Sequence, residues 1–275
     1  MIKKNKIVAI QADRLDSMNI KTDTTILLAL EAQKRGFRIF CYETKNLSFI
    51  NGKVYALSKE VTFKINAKNF YTIKNIKKLD LSKVNYILMR QNPPFNMNYI
   101  TATFLLEKIS KKVRIINDPT SVRNIPEKLH SIEFLKLMPP TIFTKDIKEI
   151  EKFKKKYKKI VVKPTHGYGG KNILFIDSNL NRNKMSKYIK KHDYVMVQKF
   201  LPQIKYGDKR VFIIAGKIKG AIRRIPVKGS ILSNIGQGGK AVKTNLTKSE
   251  LHIAKIVAKN LKKNKIVFAG IDLIS

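Results

Sequence analysis

Residues 161–176 read VVKPTHGYGGKNILFI, a stretch in which a glycine-rich loop separates two apolar runs. Each run has the length and composition of a short buried strand. Lys163 lies at the end of the first run, and the loop glycines let backbone N–H groups approach an anion closely. Dinucleotide-binding turns and Walker A loops both require a helix after their glycines, whereas NILFI is typical of a strand. The stretch therefore predicts either a different phosphate-binding loop or an ordinary glycine-rich hairpin with a surface lysine.

The length and hydropathy of the chain predict a globular protein without membrane association. The chain has 275 residues, of which 43% are hydrophobic, so it can form two domains or three small ones. No apolar run approaches the roughly 18 residues that a membrane-spanning helix needs. The N-terminal MIKKNKIVAIQ carries lysines before an apolar run, but that run is shorter than the roughly 7–15 residues of a signal peptide. We expect it to be the first strand of a cytoplasmic protein.

The formal charge of +38 is the main reason to consider a nucleic-acid partner, since clustered basic residues release counterions from phosphate backbones. Only 10 of the 57 basic residues are arginine, however, and arginine is preferred for bidentate contacts with bases and phosphates. The lysines occur throughout the chain together with many Ile and Asn, and all three have A/T-rich codons. A genome-wide bias explains them, so we expect no nucleic-acid partner. A basic nucleic-acid-binding protein is the alternative from a different class, and it predicts steeply salt-dependent binding of DNA or RNA.

The order of predicted elements indicates an α/β fold. The first third alternates strand, helix and strand, with the helix over 22–36 beginning at Thr22 as N-cap and ending at Gly36. Asn51-Gly52 in LSFINGKVYAL predicts a hairpin. This alternation is typical of an open, mostly parallel sheet.

The pattern changes from about residue 120. We predict a helix over 126–136, a hairpin that turns near Ala215-Gly216, a mobile loop over 230–241 and a helix over 247–264 that opens with a capping box. The final FAGIDLIS, residues 268–275, has the pattern of a fully buried strand. Its one carboxylate, Asp272, needs a cation or a donor as its partner.

Three polar stretches are candidates for a site. In QKFLPQIKYGDKRVF a strand ends at Gln198 and presents its backbone edge to a flat base, and Asp208 and Arg210 then share one face of a strand. Arg224 lies on the return strand of the same hairpin; the alternative is an exposed salt bridge worth about 0–1 kcal/mol. MNIKTDTT (18–25) and LMRQNPPF (88–95) follow two strands, at the edge where open α/β sheets bind ligands, although plain helix capping also explains the first.

The chain shows no catalytic triad, no HExxH and no cysteine–histidine zinc pattern. The remaining candidates are a glycine-rich loop and charged side chains, which can bind phosphate and stabilise charge. These suit phosphoryl transfer, in which positioning and electrostatics do most of the catalysis.

Several motifs in register resemble the bacterial glutathione synthetase family of ATP-grasp ligases. They are NIKTDTT, LEAQKRGF, INGKVYA, ILMRQNPPF, IINDPTSVRNIPEKL, VVKPTHGYGG, LPQIKYGDKRV, RRIP and AGIDLIS. The resemblance implies an ATP-grasp fold preceded by an N-terminal, mostly parallel α/β domain. It implies a peptide-substrate domain over 1–120, a central ATP-grasp subdomain over 121–202 and a C-terminal one over 203–275. In the implied reaction ATP phosphorylates the cysteinyl carboxylate of γ-glutamylcysteine, and the amine of glycine then displaces phosphate.

The resemblance also implies roles for residues. Those implied to bind ATP are Lys128, Lys163, Gly167, Tyr168, Gly169, Gly170, Gln198, Lys199, Phe200 and Leu201. Those implied to act near the transferred phosphoryl group are Asp208, Arg210 and Arg224. Those implied to bind the peptide or amine substrate are Asn19, Lys21, Asp23, Arg90 and, in the large lid loop over 226–241, Asn234. Asp272 is implied to bind Mg²⁺ or Mn²⁺. Partners would be the small molecules γ-glutamylcysteine, glycine and ATP only, and a full-length chain would form a homotetramer.

Three departures from the family pattern accompany the resemblance. His166 stands where the family commonly has Asp, and Gln91-Asn92 replaces a charged pair after Arg90. The family places two further metal ligands, a Glu and an Asn, on a strand after GIDLIS that this sequence does not contain. We therefore expect a C-terminally truncated chain with poor activity. The alternatives are another ATP-grasp ligase that joins a carboxylate to an amine, or an inactive nucleotide-binding remnant.

Overall fold

The computed structural model describes residues 6–20, 22–65, 69–227, 229–230 and 232–275. The chain forms two compact units, Met1–Asn124 and Ile125–Ser275. Within the described ranges, no helix combines the length and apolarity needed to span a membrane.

The first unit contains a seven-stranded mixed sheet. Its elements are β1 (Ile7–Gln11), α1 (Thr24–Lys34), β2 (Arg38–Tyr42), β3 (Leu47–Ile50), β4 (Lys53–Phe63), β5 (Tyr71–Asp80), β6 (Tyr86–Met89), α2 (Met97–Glu107), β7 (Arg114–Ile116) and α3 (Pro119–Asn124). The strand order is β3-β4-β2-β1-β6-β7, with β5 paired to β4. The pairs among β2, β1, β6 and β7 are parallel, whereas β3, β4 and β5 pair antiparallel. The order reverses between β1 and β6, so loops after these strands flank the switch point.

Local sequence explains most of these bounds. The predicted hairpin at Asn51-Gly52 is confirmed, since both residues have positive φ, as its turn requires. The predicted cap at Thr22 is wrong by one residue, because the Asp23 carboxylate accepts the bond from Thr25 N at 2.8 Å. The sequence did not reveal β5, since most of its residues are exposed and no period-two pattern marks it.

The second unit contains two four-stranded antiparallel sheets. Its elements are α4 (Glu127–His130), β8 (Thr141–Thr144), α5 (Ile147–Tyr157), β9 (Ile160–Pro164), β10 (Leu174–Ile176), α6 (Arg182–His192), β11 (Val195–Lys199), β12 (Asp208–Ile214), β13 (Lys217–Ile225), β14 (Lys240–Lys243), α7 (Lys248–Lys263) and β15 (Phe268–Leu273). One sheet has the order β10-β9-β11-β8 and packs against α5 and α6, and the other has the order β14-β13-β12-β15.

The second unit confirms some sequence predictions and corrects others. The turn at Ala215-Gly216 and the capping box of α7 are present as predicted. The helix predicted over 126–136 is one α-turn followed by 3-10 turns, and strand β14 begins inside the predicted loop over 230–241. The predicted burial of the last strand is wrong: β15 lies at the end of its sheet order and all its residues are at least partly exposed.

Candidate active site

Four charged side chains from three strands form one cluster in the second unit. Asp208 and Arg210 lie two residues apart on β12, so they share a face, and their cross-strand partners are Arg224 on β13 and Asp272 on β15. Arg224 donates from Nε to Asp208 Oδ1 at 2.8 Å and from Nη2 to Asp208 Oδ2 at 2.5 Å. Asp272 accepts bonds from Arg210 and lies 2.7 Å from Arg224 Nη2. The prediction that Asp272 has a cation or a donor as its partner is therefore confirmed, with Arg210 and Arg224 in that role.

The depth of this cluster argues against an incidental surface salt bridge. The side chains of Arg224 and Asp208 are 6% and 8% exposed, whereas those of Arg210 and Asp272 are 33% and 40% exposed. Burial raises the pKa of Asp272, but the bonds and charges of Arg210 and Arg224 outweigh it and hold that pKa below its ordinary value. Burial likewise lowers the pKa of Arg224, and its carboxylate partners raise it overall. The cluster therefore has a buried half and a half open to a ligand.

Lys163, near the end of β9, is held by a relay of side chains from β11 and β8, the next two strands of the sheet. Its Nζ donates to Gln198 Oε1 at 2.6 Å, and Gln198 Nε2 donates to Thr141 Oγ1 at 3.0 Å. Gln198 and Thr141 are register partners on β11 and β8. Burial, and then the charge of Lys128, lower the pKa of Lys163 to about 8. No sequence pattern indicated Thr141, because the relay depends on strand register.

The glycine-rich loop and Lys128 lie together. The Nζ of Lys128 donates to the carbonyl of Gly167, and its side chain is 14% exposed. Gly169 and Gly170 have φ of +62° and +75°, a region that other residues rarely adopt. A Cβ at Gly170 would lie 2.8 Å from Oδ1 of Asn234, so the two predicted loops approach each other here. His166 is exposed, and Tyr168 is half-buried with the Nζ of Lys171 5.3 Å from its ring.

The predicted base-binding segment follows β11. The rings of Phe200 and Phe175 lie with their centroids 4.4 Å apart and are tilted by 45° to each other; the sequence did not reveal Phe175 as the partner of Phe200. The N–H groups of Lys199 and Phe200 donate to Pro140 O at 2.9 Å and Lys159 O at 3.0 Å. These two donors are therefore engaged within the protein, and Leu201 is half-buried beside them.

Apart from Asn234, which belongs to the second unit, the residues predicted to bind the peptide or amine substrate belong to the first unit. Arg90 donates to the hydroxyls of Thr24 at 2.8 Å and Thr25 at 3.2 Å, at the start of α1. Burial lowers the pKa of Arg90, and the nearby Asp23 opposes that effect. Asn19 accepts bonds from the N–H groups of residues 22 and 23 with its carbonyl. Lys21 lies outside the described residues.

Gln91 and Asn92, which depart from the charged pair of the family pattern, have different surroundings in the structure. Asn92 donates to the carboxylate of Asp13 from its backbone at 3.1 Å and from its side chain at 2.6 Å. The side-chain amide atoms of Gln91 are buried and have no hydrogen-bond partner among the described residues. Neither residue supplies the charge that the family pattern has at these positions.

A divalent cation fits Asp272 only as part of a shared site. The described residues contain no group of three or more His, Cys, Asp and Glu placed to hold a metal. Mg²⁺ is commonly bound by one or two carboxylates together with substrate phosphates and water. The half-exposed carboxylate of Asp272 is a hard oxygen ligand of that kind. The residues therefore suit a metal that arrives with a nucleotide.

Comparison with protein families finds two matches that together span nearly the whole chain. The N-terminal domain of prokaryotic glutathione synthetase matches residues 7–123, and its ATP-grasp domain matches residues 127–275. The glutathione synthetase of Mesorhizobium japonicum is 39% identical over 271 residues, which are 97% of this chain and 86% of that protein. That of Buchnera aphidicola subsp. Schizaphis graminum is 34% identical over 279 residues, covering 99% of this chain and 87% of that protein.

Solved structures, an ATP-grasp ligase among them, share the fold at low sequence identity. D-cycloserine synthetase DcsG has a TM-score of 0.64 at 14% identity, over 98% of this chain and 86% of that one. The D-alanyl-alanine synthetase A of Vibrio cholerae has a TM-score of 0.63 at 14% identity, over 99% of this chain and 85% of that one. The ATP-grasp ligase PsnB, solved with a minimal precursor, Mg and ADP, has a TM-score of 0.58 at 13% identity, over 98% of this chain and 84% of that one.

Proposed function

Because the chain belongs to the prokaryotic glutathione synthetase family, we propose that it ligates glycine to γ-glutamylcysteine with ATP, giving glutathione, ADP and phosphate. The observation that supports this most is the cluster of Asp208, Arg210, Arg224 and Asp272. In it, two guanidinium groups lie beside the half-exposed carboxylate of Asp272, which can bind a metal ion. The first step transfers the γ-phosphoryl group to the cysteinyl carboxylate. The glycine amine then attacks the acyl carbon, the C–O bond to phosphate breaks, and the amine loses its proton.

Lys128 and Lys163 are proposed to bind the polyphosphate. The ammonium of Lys128 is bonded to the carbonyl of Gly167 in the glycine-rich loop of Gly167, Tyr168, Gly169 and Gly170, and that of Lys163, on the strand that precedes this loop, is held by Gln198. A ligand with several anionic oxygens relieves the mutual repulsion of the two lysines, which contributes to the lowered pKa of Lys163. The apolar face of Phe200 and the segment Lys199–Leu201 are proposed to meet the adenine.

The arginines of the cluster are proposed to have different tasks. Arg210 is one-third exposed, so its guanidinium can contact the transferred phosphoryl group and stabilise the charge that develops on it. Arg224 is almost fully buried and holds both carboxylates in place. Asp272 would hold Mg²⁺, or Mn²⁺, whose charge neutralises phosphate oxygens when bound.

The remaining assignments are supported by position and by the resemblance. Asn19, Asp23 and Arg90 are proposed to bind the peptide in the first unit. Asn234, which lies beside Gly170, is proposed to belong to a lid over the acyl phosphate, since water would compete with glycine there. We also propose that residues 121–202 and 203–275 form the two ATP-grasp subdomains and that the protein is cytoplasmic. We further propose that it is a homotetramer, which light scattering tests by measuring the mass of the assembly.

A neighbouring function is a ligase of the same type with a different carboxylate substrate. Gln91 and Asn92 favour it, because neither carries the charge of the family pattern and Asn92 is engaged by Asp13. Release of ADP is measured with γ-glutamylcysteine, with dipeptides that carry an α-linkage, and with single amino acids. Glutathione synthesis predicts release that requires both γ-glutamylcysteine and glycine. Release with another carboxylate but not with γ-glutamylcysteine contradicts it.

A further inference from the structure

Lys209 lies between Asp208 and Arg210 on β12, so its side chain leaves the strand on the face opposite the charged cluster. It is buried, and its Nζ lies 2.7 Å from Glu250 Oε2 in an ion pair whose two side chains are both 5% exposed. The same ammonium donates to the carbonyl of Asn245 at 3.0 Å. This lysine is thus fully engaged inside the protein.

Glu250 belongs to the start of α7, where it completes the capping box. Its Oε2 accepts the N–H of Thr247 at 2.7 Å, and its own N–H donates to the hydroxyl of Thr247 at 3.2 Å. Burial raises the pKa of Glu250, but the bonds from Lys209 and Thr247 outweigh this and lower it to about 2. One carboxylate oxygen therefore joins the first turn of α7 to the start of β12, the strand that carries Asp208 and Arg210.

The Lys209–Glu250 ion pair is connected to the cluster through two segments of the chain, β12 and the segment that leads from α7 into β15. On β12 it holds the residue between Asp208 and Arg210. At the far end of α7 the chain continues into β15, where Asp272 is the register partner of Arg210. A buried ion pair is weak evidence for stability, since apolar residues of the same volume are often as stabilising, so the pair calls for another explanation.

We propose that Lys209 and Glu250 are positioning residues, whose buried ion pair fixes β12 against α7 and thereby holds Arg210 at the distance from Asp272 that the reaction requires. Neither side chain touches substrate. The consequence for catalysis rests on the proposed ligase function, whereas the effect on β12 and β15 does not.

The test compares Glu250→Gln with two controls. Glu250→Gln keeps the shape and a capping oxygen but leaves the Lys209 charge unpaired. Thr247→Ala removes the cap and leaves the ion pair, and Glu60→Gln breaks the Arg38–Glu60 pair of the first unit, in which the glutamate is 9% exposed. We expect Glu250→Gln to lower kcat about 10- to 100-fold with KM for ATP within about twofold. Both controls should lower Tm and keep the wild-type kcat.

Hydrogen exchange gives a second readout that does not depend on turnover. In Glu250→Gln the amides of β12 and β15 should exchange at least about tenfold faster, while those of β9 and β11 keep their wild-type rates. If Glu250→Gln does not fold, Glu250→Asp, which keeps the charge on a shorter side chain, should show the same pattern more weakly. Wild-type kcat in the folded variant, or exchange that rises equally in both sheets, overturns the proposal. A wild-type protein without ligase activity refutes the proposed function, and the exchange pattern then decides the positioning role alone.

Discussion

The carboxylate of Asp272 lies 2.7 Å from the guanidinium of Arg224, although their strands are not neighbours in the sheet. The strand between them, β12, supplies Asp208 and Arg210, so charges of alternating sign run across three strands. Two carboxylates and two guanidinium groups cancel within the cluster. If a phosphate and a cation enter together, the phosphate can pair with a guanidinium group and the cation with a carboxylate. No charge in the cluster is then left uncompensated.

Replacing Arg210 should affect the chemical step more than binding. Arg210→Lys keeps the positive charge but loses the two-pronged contact with Asp272. We expect kcat to fall about 100-fold, as when one preorganised donor to a developing charge is lost. The matched control is Arg182→Lys at the exposed pair with Glu151, which should leave kcat unchanged. Steady-state kinetics that show only a raised KM for ATP in Arg210→Lys would place Arg210 in binding alone.

Lys163 should make nucleotide binding pH-dependent. Its pKa of about 8 means that the free protein loses this charge as the pH rises through 8, so ATP affinity should fall between pH 7.5 and 9. Calorimetric titration of ATP over this range measures the decline, and Lys163→Met should bind weakly with a flatter profile. A wild-type affinity that is constant from pH 7.5 to 9 contradicts the assignment.

The same group links pH to stability. In the unfolded chain Lys163 keeps its proton up to its ordinary pKa of 10.5, whereas the folded protein releases it near pH 8. Between these values the unfolded state binds more protons, so the contribution of Lys163 to the free energy of unfolding increases with pH. Denaturant unfolding at pH 8 and pH 10 should show a smaller loss, or a larger gain, for the wild type than for Lys163→Met. Equal changes in both proteins would refute the linkage.

The relay that holds Lys163 predicts a role for Thr141. Thr141→Val removes the hydroxyl that accepts from Gln198, which frees the Gln198 amide to rotate away from Lys163. We expect Kd for ATP to rise about 3- to 10-fold, in line with a hydrogen bond worth about 1 kcal/mol. Thr144→Val, at the other end of β8, is the control. An unchanged Kd in Thr141→Val would mean that Gln198 orients Lys163 without help.

Alanine substitutions at Gly169 and Gly170 distinguish the effect of backbone strain in the loop from the effect of contact with Asn234. Both have positive φ, but a Cβ added at Gly170 would lie 2.8 Å from Asn234 Oδ1, whereas a Cβ added at Gly169 would have no contact within 4 Å among the described residues outside its chain neighbours. Alanine at either position should cost about 1–2 kcal/mol of backbone strain. Gly170→Ala should raise KM for ATP more than Gly169→Ala does. Combining Gly170→Ala with Asn234→Ala should bring KM back to the value of Gly169→Ala. Equal KM values for the two single variants would show that the loops do not interact during turnover.

Sequence patterns predicted the parts of the fold that depend on short-range chemistry. The hairpin at Asn51-Gly52, the turn at Ala215-Gly216 and the capping box of Thr247 and Glu250 each follow from a few adjacent residues. The family followed from motifs in register, and the comparisons confirm it. The α/β fold followed from the order of predicted elements, and the observed elements confirm it. Strand β5 was missed because exposure on both faces erases the alternation that marks a strand.

The contacts between side chains were less accessible to sequence reasoning. Placing Asp208 and Arg210 on one face required only the period of a strand, but their pairing with Arg224 and Asp272 depends on cross-strand register. The contacts of Thr141 with Gln198 and of Lys209 with Glu250 join residues 57 and 41 positions apart. No local pattern encodes such distances, so the relay and the buried ion pair emerge only from the fold.

The most direct test of the central claim follows oxygen from the peptide carboxylate into phosphate. γ-Glutamylcysteine labelled with ¹⁸O in its cysteinyl carboxylate is incubated with ATP, Mg²⁺, glycine and the protein, and the released phosphate is analysed by mass spectrometry. Ligation through an acyl phosphate predicts one ¹⁸O atom in each phosphate, formed together with glutathione and ADP. Phosphate without ¹⁸O, or ADP released at the same rate without the peptide, would contradict it.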